Sequence, residues 1–127
     1  MAHPPRIQAV AFDAFGTLFD VYSVGLLAEQ LYPGKGAALA DLWRSKQIEY
    51  SFIRSLSGRY KPFWEITRDG LRFAAARLGL ELDTVRCNQL MNQYACLSPF
   101  PENLGALQAL KEANVPTAIL SNGTPEM

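Results

Sequence analysis

The sequence predicts an α/β fold in which a parallel sheet is interrupted by a long helical insertion. Two short apolar segments, at residues 7–12 and 115–120, each end in polar residues, as the buried strands of a parallel sheet do. The residues between them, about a hundred, are helical in pattern, which is far more chain than one crossover connection needs. In such folds the site lies at the carboxyl ends of the strands, so the polar residues there are the first candidates.

Composition limits the class of protein before any motif is considered. The chain has 127 residues, of which 49% are hydrophobic and 19% charged, as expected of one globular domain. Twelve Lys and Arg residues balance twelve Asp and Glu residues, which argues against a nucleic-acid partner. The first apolar run stops at Asp13 and is too short for a signal peptide or a membrane span. We therefore expect a cytoplasmic protein without a membrane partner.

The first strand opens into a glycine turn that carries a carboxylate. The segment at residues 12–18 is Phe-Asp-Ala-Phe-Gly-Thr-Leu, so Asp13 follows the strand directly. Backbone N–H groups of such a turn can surround an anion, and Gly16 allows a close approach. Two structural alternatives stay open: Asp13 could close the turn by bonding its own backbone, and Thr17 could simply face solvent.

The middle of the chain predicts several amphipathic helices. Apolar side chains recur at helical spacing in three stripes. These stripes contain Leu39, Leu42, Trp43, Tyr50 and Ile53; then Phe63, Thr67, Leu71, Ala74 and Leu78; and then Cys87, Leu90, Met91 and Tyr94. Breaks fall at the Pro and Gly clusters of residues 33–36, 57–62, 78–80 and 98–101. The middle is best interpreted as a helical cap inserted after the first strand.

The segment at residues 42–50, Leu-Trp-Arg-Ser-Lys-Gln-Ile-Glu-Tyr, is the most specific stretch of the insertion. On a helix, Arg44 and Ile48 share one face while Trp43 points to another, so Trp43 can hold the helix to the core. The alternative is a surface arginine paired with Asp41, three residues back.

The second strand leads into Ser121-Asn122-Gly123 after a helix predicted at residues 103–113. Pro116 fits only near the start of this strand, where its missing N–H does least harm. Without other information, Ser-Asn-Gly is simply a turn.

Neither a disulfide nor a metal site is predicted. Cys87 and Cys96 stand nine positions apart on what reads as one helix, roughly 13 Å of rise, against roughly 4.4 to 6.8 Å between the Cα atoms of a disulfide. We expect both to be reduced core residues. The one histidine is His3, and no Cys or His pair has ligand spacing, so no metal and no cofactor are expected.

Taken together, these motifs resemble, in order, those of the haloacid dehalogenase superfamily, and the helix around Arg44 is similar to the cap helix of its (S)-2-haloacid dehalogenases. The resemblance implies a Rossmann-like parallel sheet core, formed by residues 1–20 and 99–127, with an inserted helical cap at residues 21–98. It covers essentially the whole chain, and the sheet would be incomplete within it.

The resemblance also implies catalytic roles. Asp13 matches the nucleophile that attacks the substrate, and Thr17 matches a hydroxyl that orients it. Arg44 matches the arginine that receives the departing halide, where a permanently protonated guanidinium stabilises the charge that grows on the halogen.

Substrate-binding positions follow in the same way. Phe15, Ile48 and Phe63 match an apolar pocket around carbon 2, although each could be ordinary core. Ser121 and Asn122 match the residues that hold the substrate carboxylate. Ser45 departs from the glutamine found in some members, so no side-chain contact is carried over to it.

Phe15 separates two branches of the superfamily. Its phosphatases carry a second aspartate two places after the nucleophile, because an alkoxide leaving group needs a proton. A halide leaves unprotonated, so a dehalogenase gains instead from a dry aromatic wall. The family usually has Tyr here, so any bond from that hydroxyl is lost in this chain. The rival interpretations are a superfamily phosphatase and a non-catalytic binding protein of the same fold.

The predicted reaction is hydrolysis of a small (S)-2-haloacid to the (R)-2-hydroxyacid and halide. The family's later lysine and its later Ser, Asn and Asp motif would both lie beyond Met127. We therefore expect this sequence to be the amino-terminal part of a longer enzyme, and the resemblance implies a homodimer for the complete protein.

Overall fold

A computed structural model describes residues 6–127, and these form two compact units. One unit contains the chain up to Asp20 together with Pro99–Ser121, and we call it the sheet unit. The other, the helical unit, contains Val21–Ser98 and Asn122–Met127. Residues 1–5, which include His3, lie outside the described residues.

The sheet unit is built on two parallel strands. Strand β1 (Val10–Phe12) pairs with β4 (Thr117–Ile119), with Val10 opposite Thr117 and Phe12 opposite Ile119. Short strands β2 (Phe19–Asp20) and β3 (Ser98–Pro99) lie where the chain passes from one unit to the other, and helix α5 (Pro101–Glu112) precedes β4. The parallel pairing of the two apolar segments is as predicted, and each strand is shorter than its apolar run.

Proline residues mark the start of two elements in this unit. Pro116 lies just before β4, and its carbonyl accepts the Val10 N–H at 2.9 Å. Pro116 thus takes part in the pairing as an acceptor, and at the start of a strand its missing N–H does least harm. Pro101 opens α5, where its fixed φ suits the first helical turn. The helix therefore begins two residues before the predicted start at 103.

The prediction that both strands are buried is wrong for this unit. All three residues of β4 are exposed, with Ile119 at 64%, and the following Leu120 is 76% exposed. Helix α5 buries none of its residues. The two-stranded ladder forms through backbone bonds, but too few described elements cover its faces to bury the apolar side chains.

The helical unit contains one 3₁₀ turn and four helices. They are the turn at Val21–Ser23 and helices α1 (Val24–Leu31), α2 (Gly36–Leu56), α3 (Phe63–Arg77) and α4 (Thr84–Tyr94). Helix α2 packs against α1 and α3, and α4 packs against α1 and α3. The fully buried side chains come from all four helices, among them Val24, Leu39, Trp43, Leu71, Leu90, Met91 and Tyr94.

The second and third predicted apolar stripes face this core almost entirely, and in the first stripe Leu39 and Trp43 do so. The exception is the carboxyl-terminal half of α2, where Ile53 is exposed although its spacing predicted burial. Phe52, Leu56 and Tyr60 are exposed in the same region. Periodicity alone could not distinguish a second apolar face from the core-facing one.

Helices α2 and α3 approach each other closely at Gly70. A Cβ atom at this position would lie 3.2 Å from the Gln47 backbone nitrogen and 3.4 Å from the Trp43 side chain. Such a close approach of two helix backbones needs a residue without a side chain. The packing holds the middle of α2 firmly on α3, and that part of α2 carries Arg44.

The two cysteines differ from each other in environment. Both are free thiols, as expected, but only Cys87 is buried in the core. Cys96 is exposed, because α4 ends at Tyr94 and the chain has already left the helix. The prediction that Cys96 is a core residue of the same helix is wrong. Within residues 6–127, no helix combines the length and the apolar character needed to cross a membrane.

Candidate active site

Asp13 stands at the carboxyl end of β1, where the strand opens into a turn. Its side chain is exposed, and its Oδ2 accepts a hydrogen bond from Thr17 Oγ1 at 3.2 Å. A hydroxyl four residues on thus holds one carboxylate oxygen, and the other can face a ligand. The contact agrees with an orienting role for Thr17, and it argues against a Thr17 hydroxyl directed only at solvent.

The turn after Asp13 uses its own backbone donors. The N–H groups of Thr17, Leu18 and Phe19 all donate to the Ala14 carbonyl, at 3.0–3.3 Å, and the Gly16 N–H donates to Phe19 O at 2.8 Å. These four donors are therefore not available to surround an anion, which leaves that role to the N–H groups nearer Asp13. Gly16 has a φ of 87°, which closes the turn at little steric cost.

Asn103, on α5, fixes this turn from outside, and its role was not predicted. Its Nδ2 donates to the carbonyls of Thr17 at 3.0 Å and Leu18 at 2.8 Å. The Leu18 carbonyl also accepts the Phe100 N–H at 3.1 Å. Asn103 and Thr17 are 86 positions apart in the sequence, so no local pattern could have paired them.

Ser121 is the counterpart of Asp13 on the neighbouring strand. Phe12 is opposite Ile119 in register, and the Leu120 N–H donates to Phe12 O at 2.8 Å. Because the strands are parallel, the residues after them emerge at the same sheet edge. The structure therefore brings Asp13 and Ser121 to one edge, as predicted, whereas Asn122 belongs to the helical unit.

Arg44 lies on α2 in the helical unit, and its side chain is held by a neighbour. Its Nη1 donates to Gln47 Oε1 at 2.7 Å, one helical turn further along. The same Gln47 oxygen accepts a bond from the Tyr94 hydroxyl of α4 at 2.8 Å. Gln47 Nε2 donates to Thr67 Oγ1 of α3 at 2.7 Å, so three helices meet at one buried amide.

The network continues to the backbone beside Phe63. Thr67 Oγ1 donates to the Phe63 carbonyl at 2.7 Å, and the indole N–H of Trp43 donates to the Thr67 carbonyl at 2.7 Å. Trp43 therefore anchors α2 through a hydrogen bond as well as through packing. We call Arg44, Gln47, Thr67 and Tyr94 the guanidinium network.

From the sequence, Thr67 and Tyr94 are members of apolar stripes, and Gln47 has no predicted role. One signal in the sequence could have shown this role. Gln47 follows Trp43 by four residues and so lies on the same, buried face of α2, where a polar side chain needs hydrogen-bond partners. Burial raises the pKa of the Tyr94 phenol, although the positive charge of Arg44 and the bond with Gln47 act in the opposite direction. Tyr94 therefore stays protonated near neutral pH and acts as a donor.

The three predicted pocket residues differ in burial. Phe63, at the start of α3, is 6% exposed, and Phe15, in the turn after Asp13, is 9% exposed. Ile48 is 39% exposed on α2, one turn beyond Arg44. Burial of the two phenylalanines is compatible with an apolar wall and equally with core packing. Within residues 6–127, no group of three or more His, Cys, Asp or Glu side chains could hold a metal ion.

Comparison with known proteins gives a family match over nearly the whole chain. The model of the haloacid dehalogenase-like hydrolases matches residues 7–127. The chain is 48% identical to the (S)-2-haloacid dehalogenase of Xanthobacter autotrophicus over 122 residues, which are 95% of this chain and 47% of that protein. The chain thus spans about half the length of the curated relatives it matches.

Solved structures agree with this match. One L-2-haloacid dehalogenase of known crystal structure is 57% identical, with a TM-score of 0.91 over 96% of this chain and 56% of the other. The X. autotrophicus L-2-haloacid dehalogenase, with chloropropionic acid covalently bound, is 45% identical, with a TM-score of 0.87 over 95% of this chain and 49% of the other.

Proposed function

Since the chain belongs to the haloacid dehalogenase-like hydrolases, we propose that the complete protein hydrolyses small (S)-2-haloacids to (R)-2-hydroxyacids. In this proposal Asp13 is the nucleophile, Thr17 orients it, and Arg44 receives the halide. The similarity to (S)-2-haloacid dehalogenases, one of them with chloropropionic acid covalently bound, supports this substrate class.

Phe15 is the observation that carries the proposal. The residue two places after Asp13 is a buried aromatic side chain where a phosphatase of this superfamily needs a carboxylic acid. Without that acid, an alkoxide leaving group receives no proton, whereas a halide leaves as a stable anion. Asp13 is exposed within residues 6–127. In the proposed complete site, with substrate bound, an aromatic wall limits the water that reaches the carboxylate, which strengthens it as a nucleophile toward carbon.

The first proposed step is a displacement at carbon 2. An oxygen of the Asp13 carboxylate forms a bond to carbon 2 as the carbon–halogen bond breaks, and the halogen takes both electrons of that bond. The Arg44 guanidinium stabilises the charge that develops on the halide. Attack from the side opposite the halogen inverts the configuration at carbon 2 and leaves an ester with Asp13.

The second proposed step hydrolyses that ester. Water attacks the carboxyl carbon of Asp13, the bond between that carbon and the ester oxygen breaks, and the hydroxyacid leaves with the former aspartate oxygen. The substrate carboxylate is held by Ser121 and Asn122, while Phe15, Ile48 and Phe63 form the apolar surroundings of carbon 2. No metal or cofactor takes part in this scheme.

The decisive assay measures halide release from both enantiomers of 2-chloropropionate by the complete protein. We expect chloride from the (S) enantiomer and almost none from the (R) enantiomer, because one arginine fixes where the halogen must lie. Asp13→Asn abolishes release, apart from slow deamidation, whereas Glu112→Gln at the exposed end of α5 does not change it. Equal rates on both enantiomers, or turnover of a phosphate ester that requires Mg²⁺, would contradict the proposal.

An isotope experiment separates a nucleophile from a general base. In a single turnover in ¹⁸O-labelled water with enzyme in excess, the label should enter Asp13 and the hydroxyacid should stay unlabelled. Label found directly in the hydroxyacid would mean that water attacks carbon 2 and that Asp13 acts only as a base.

The proposed setting is a cytoplasmic homodimer. Two free cysteine thiols are typical of a reducing compartment. Exposed apolar side chains at the carboxyl-terminal half of α2, with Phe52 at 65% and Leu56 at 86%, support a partner of the same chain. Sedimentation of the complete protein tests this: a monomer at micromolar concentration would contradict the dimer.

A further inference from the structure

We propose that Gln47 is a positioning residue that aims the Arg44 guanidinium at the departing halide, and that it does so as a neutral hydrogen-bond acceptor. This inference rests on the proposed function, since it assigns Gln47 a role through Arg44. The observation behind it is the guanidinium network, in which one fully buried amide joins α2, α3 and α4.

Every bond of the Gln47 amide has a fixed direction. Arg44 can only donate, so the atom it contacts at 2.7 Å must be the amide oxygen. Thr67 uses its hydroxyl hydrogen on the Phe63 carbonyl, so it can only accept from Gln47 Nε2. If the amide flipped, Gln47 Nε2 would face the Arg44 donor, and Gln47 Oε1 would face the Thr67 oxygen, whose hydrogen is already donated to Phe63. Only the observed orientation satisfies both contacts.

Burial makes this orientation rigid. Gln47 and Thr67 are both 0% exposed, so water cannot replace a lost partner. A buried polar group that loses its hydrogen bond is strongly disfavoured, so alternative rotamers of Gln47 are sparsely populated. Tyr94 supplies the second donor to the amide oxygen and, being protonated, keeps it in place.

The neutrality of Gln47 matters for the chemistry. A carboxylate at this position would also accept from Arg44, but it would form an ion pair and neutralise much of the field that the guanidinium presents to a halide. An amide oxygen fixes one Nη group and leaves the full positive charge uncompensated by Gln47. The network thus orients the cation without quenching it.

A mispositioned or neutralised Arg44 should affect substrates according to their leaving group. Chloride leaves less readily than bromide and needs more stabilisation of its developing charge. Weakening the guanidinium therefore slows the chloro substrate more than the bromo substrate. A change that only loosens the fold would slow both substrates by the same factor, so the ratio of the two rates reports on positioning.

The test compares Gln47→Glu with Gln89→Glu, a matched change at an exposed residue of α4. Single-turnover alkylation rates of the complete protein are measured with (S)-2-chloropropionate and (S)-2-bromopropionate. We expect Gln47→Glu to lower the chloro rate about tenfold, less than the roughly 10²–10³-fold loss of a direct oxyanion donor, and to raise the bromo/chloro ratio severalfold. Gln89→Glu should leave both rates unchanged. An unchanged ratio in Gln47→Glu would overturn the inference.

Bromide affinity of the resting protein, measured by calorimetry, provides a readout that does not depend on turnover. We expect it to weaken at least about fivefold in Gln47→Glu, because an ion-paired guanidinium attracts an anion less strongly. Equal bromide affinities in wild type and variant, or no bromide binding to wild type, would also overturn the inference. A wild-type protein that binds bromide through Arg44 and yet releases no halide would instead contradict the proposed function alone.

Thr67→Val provides a second variant in case Gln47→Glu does not fold. It keeps the shape of the side chain and the charge of Arg44, but it removes the acceptor that orients Gln47 Nε2. The bromo/chloro ratio should rise in the same direction and by a smaller factor. If the Thr67→Val protein is folded and its ratio equals that of wild type, Gln47 does not position Arg44 through this amide.

Discussion

Replacement of Asn103 by Asp tests whether α5 holds the turn that carries Asp13. The two side chains have nearly the same shape, but a carboxylate cannot donate. The change removes the bonds from Nδ2 to the Thr17 and Leu18 carbonyls, at 3.0 and 2.8 Å, and places negative oxygens against those carbonyl oxygens. Because the shape is kept, any effect comes from hydrogen bonding and charge.

The expected cost in stability follows from these two bonds. Each hydrogen bond contributes about 0.5–1.5 kcal/mol net, so losing both costs about 1–3 kcal/mol. An acidic side chain in the first turn of α5 recovers about 0.3–1 kcal/mol through the helix dipole. We expect the free energy of unfolding of the complete protein to fall by about 1–2 kcal/mol.

The expected cost in activity is larger than stability alone would produce. Asn103 holds the Thr17 carbonyl, and the hydroxyl of the same residue donates to Asp13 Oδ2. If the turn moves when the bond to the carbonyl is lost, the hydroxyl moves with it and its bond to Asp13 changes. Small misplacements of a reacting group can lower rates by as much as about 10²-fold. We expect kcat for (S)-2-chloropropionate to fall about tenfold in protein that is still fully folded.

Urea unfolding and chloride release measure the two effects separately. The matched control is Asn88→Asp, at an exposed position of α4, which should change neither quantity appreciably. An Asn103→Asp protein that unfolds within about 0.5 kcal/mol of wild type and keeps its kcat would refute the reasoning. A loss of stability without a loss of kcat would show that α5 supports the unit but does not position Asp13.

Three further predictions concern the two units. Trp43→Phe should lower the unfolding free energy by about 2–4 kcal/mol, since it removes the buried indole bond to the Thr67 carbonyl and opens a cavity. Trp64→Phe, at a half-buried site, should cost less in the same urea assay. Two backbone N–H groups lower the pKa of Glu29 below its usual 4.5. The stabilising contribution of this carboxylate is therefore complete above pH 4.5 and is lost as the pH falls through the lowered pKa. In Glu29→Gln, the melting temperature should fall less steeply as the pH is lowered through this range. Residues 1–127 expressed alone should aggregate, because Ile119 and Leu120 remain exposed beside an open strand, and a soluble product with a cooperative melt would contradict this.

The elements and the polar ends of the strands could be predicted because local patterns encode them. Asp13 and Ser121 each follow an apolar run, and parallel pairing puts the two ends at one edge, as the register of β1 and β4 shows. The helical middle was equally evident from its stripes. The burial of the strands was predicted wrongly, because an apolar pattern shows what a segment can bury but not whether a neighbour covers it.

The side chains that position the predicted residues could not be found in this way. Asn103 meets the Asp13 turn across 86 positions, and Tyr94 meets Gln47 across 47, so tertiary packing sets both contacts. Thr67 was placed in an apolar stripe because its methyl group fits one, although its hydroxyl bonds to Gln47 and to the Phe63 carbonyl.

The two parts of the proposed site are stabilised by different means, and each means suits its chemistry. In the proposed mechanism Asp13 forms and loses a covalent bond, and it is held lightly, by a hydroxyl at 3.2 Å at an exposed turn whose shape comes from backbone bonds. In the same mechanism Arg44 meets a charge that exists only as the bond breaks, so it gains most from being fixed beforehand. Arg44 is accordingly held by a side chain, the fully buried amide of Gln47. This amide accepts from Arg44 without carrying a charge, and it joins three helices. On this argument, substitutions that keep Asp13 and Arg44 but alter Gln47 should change leaving-group preference in protein that is still folded.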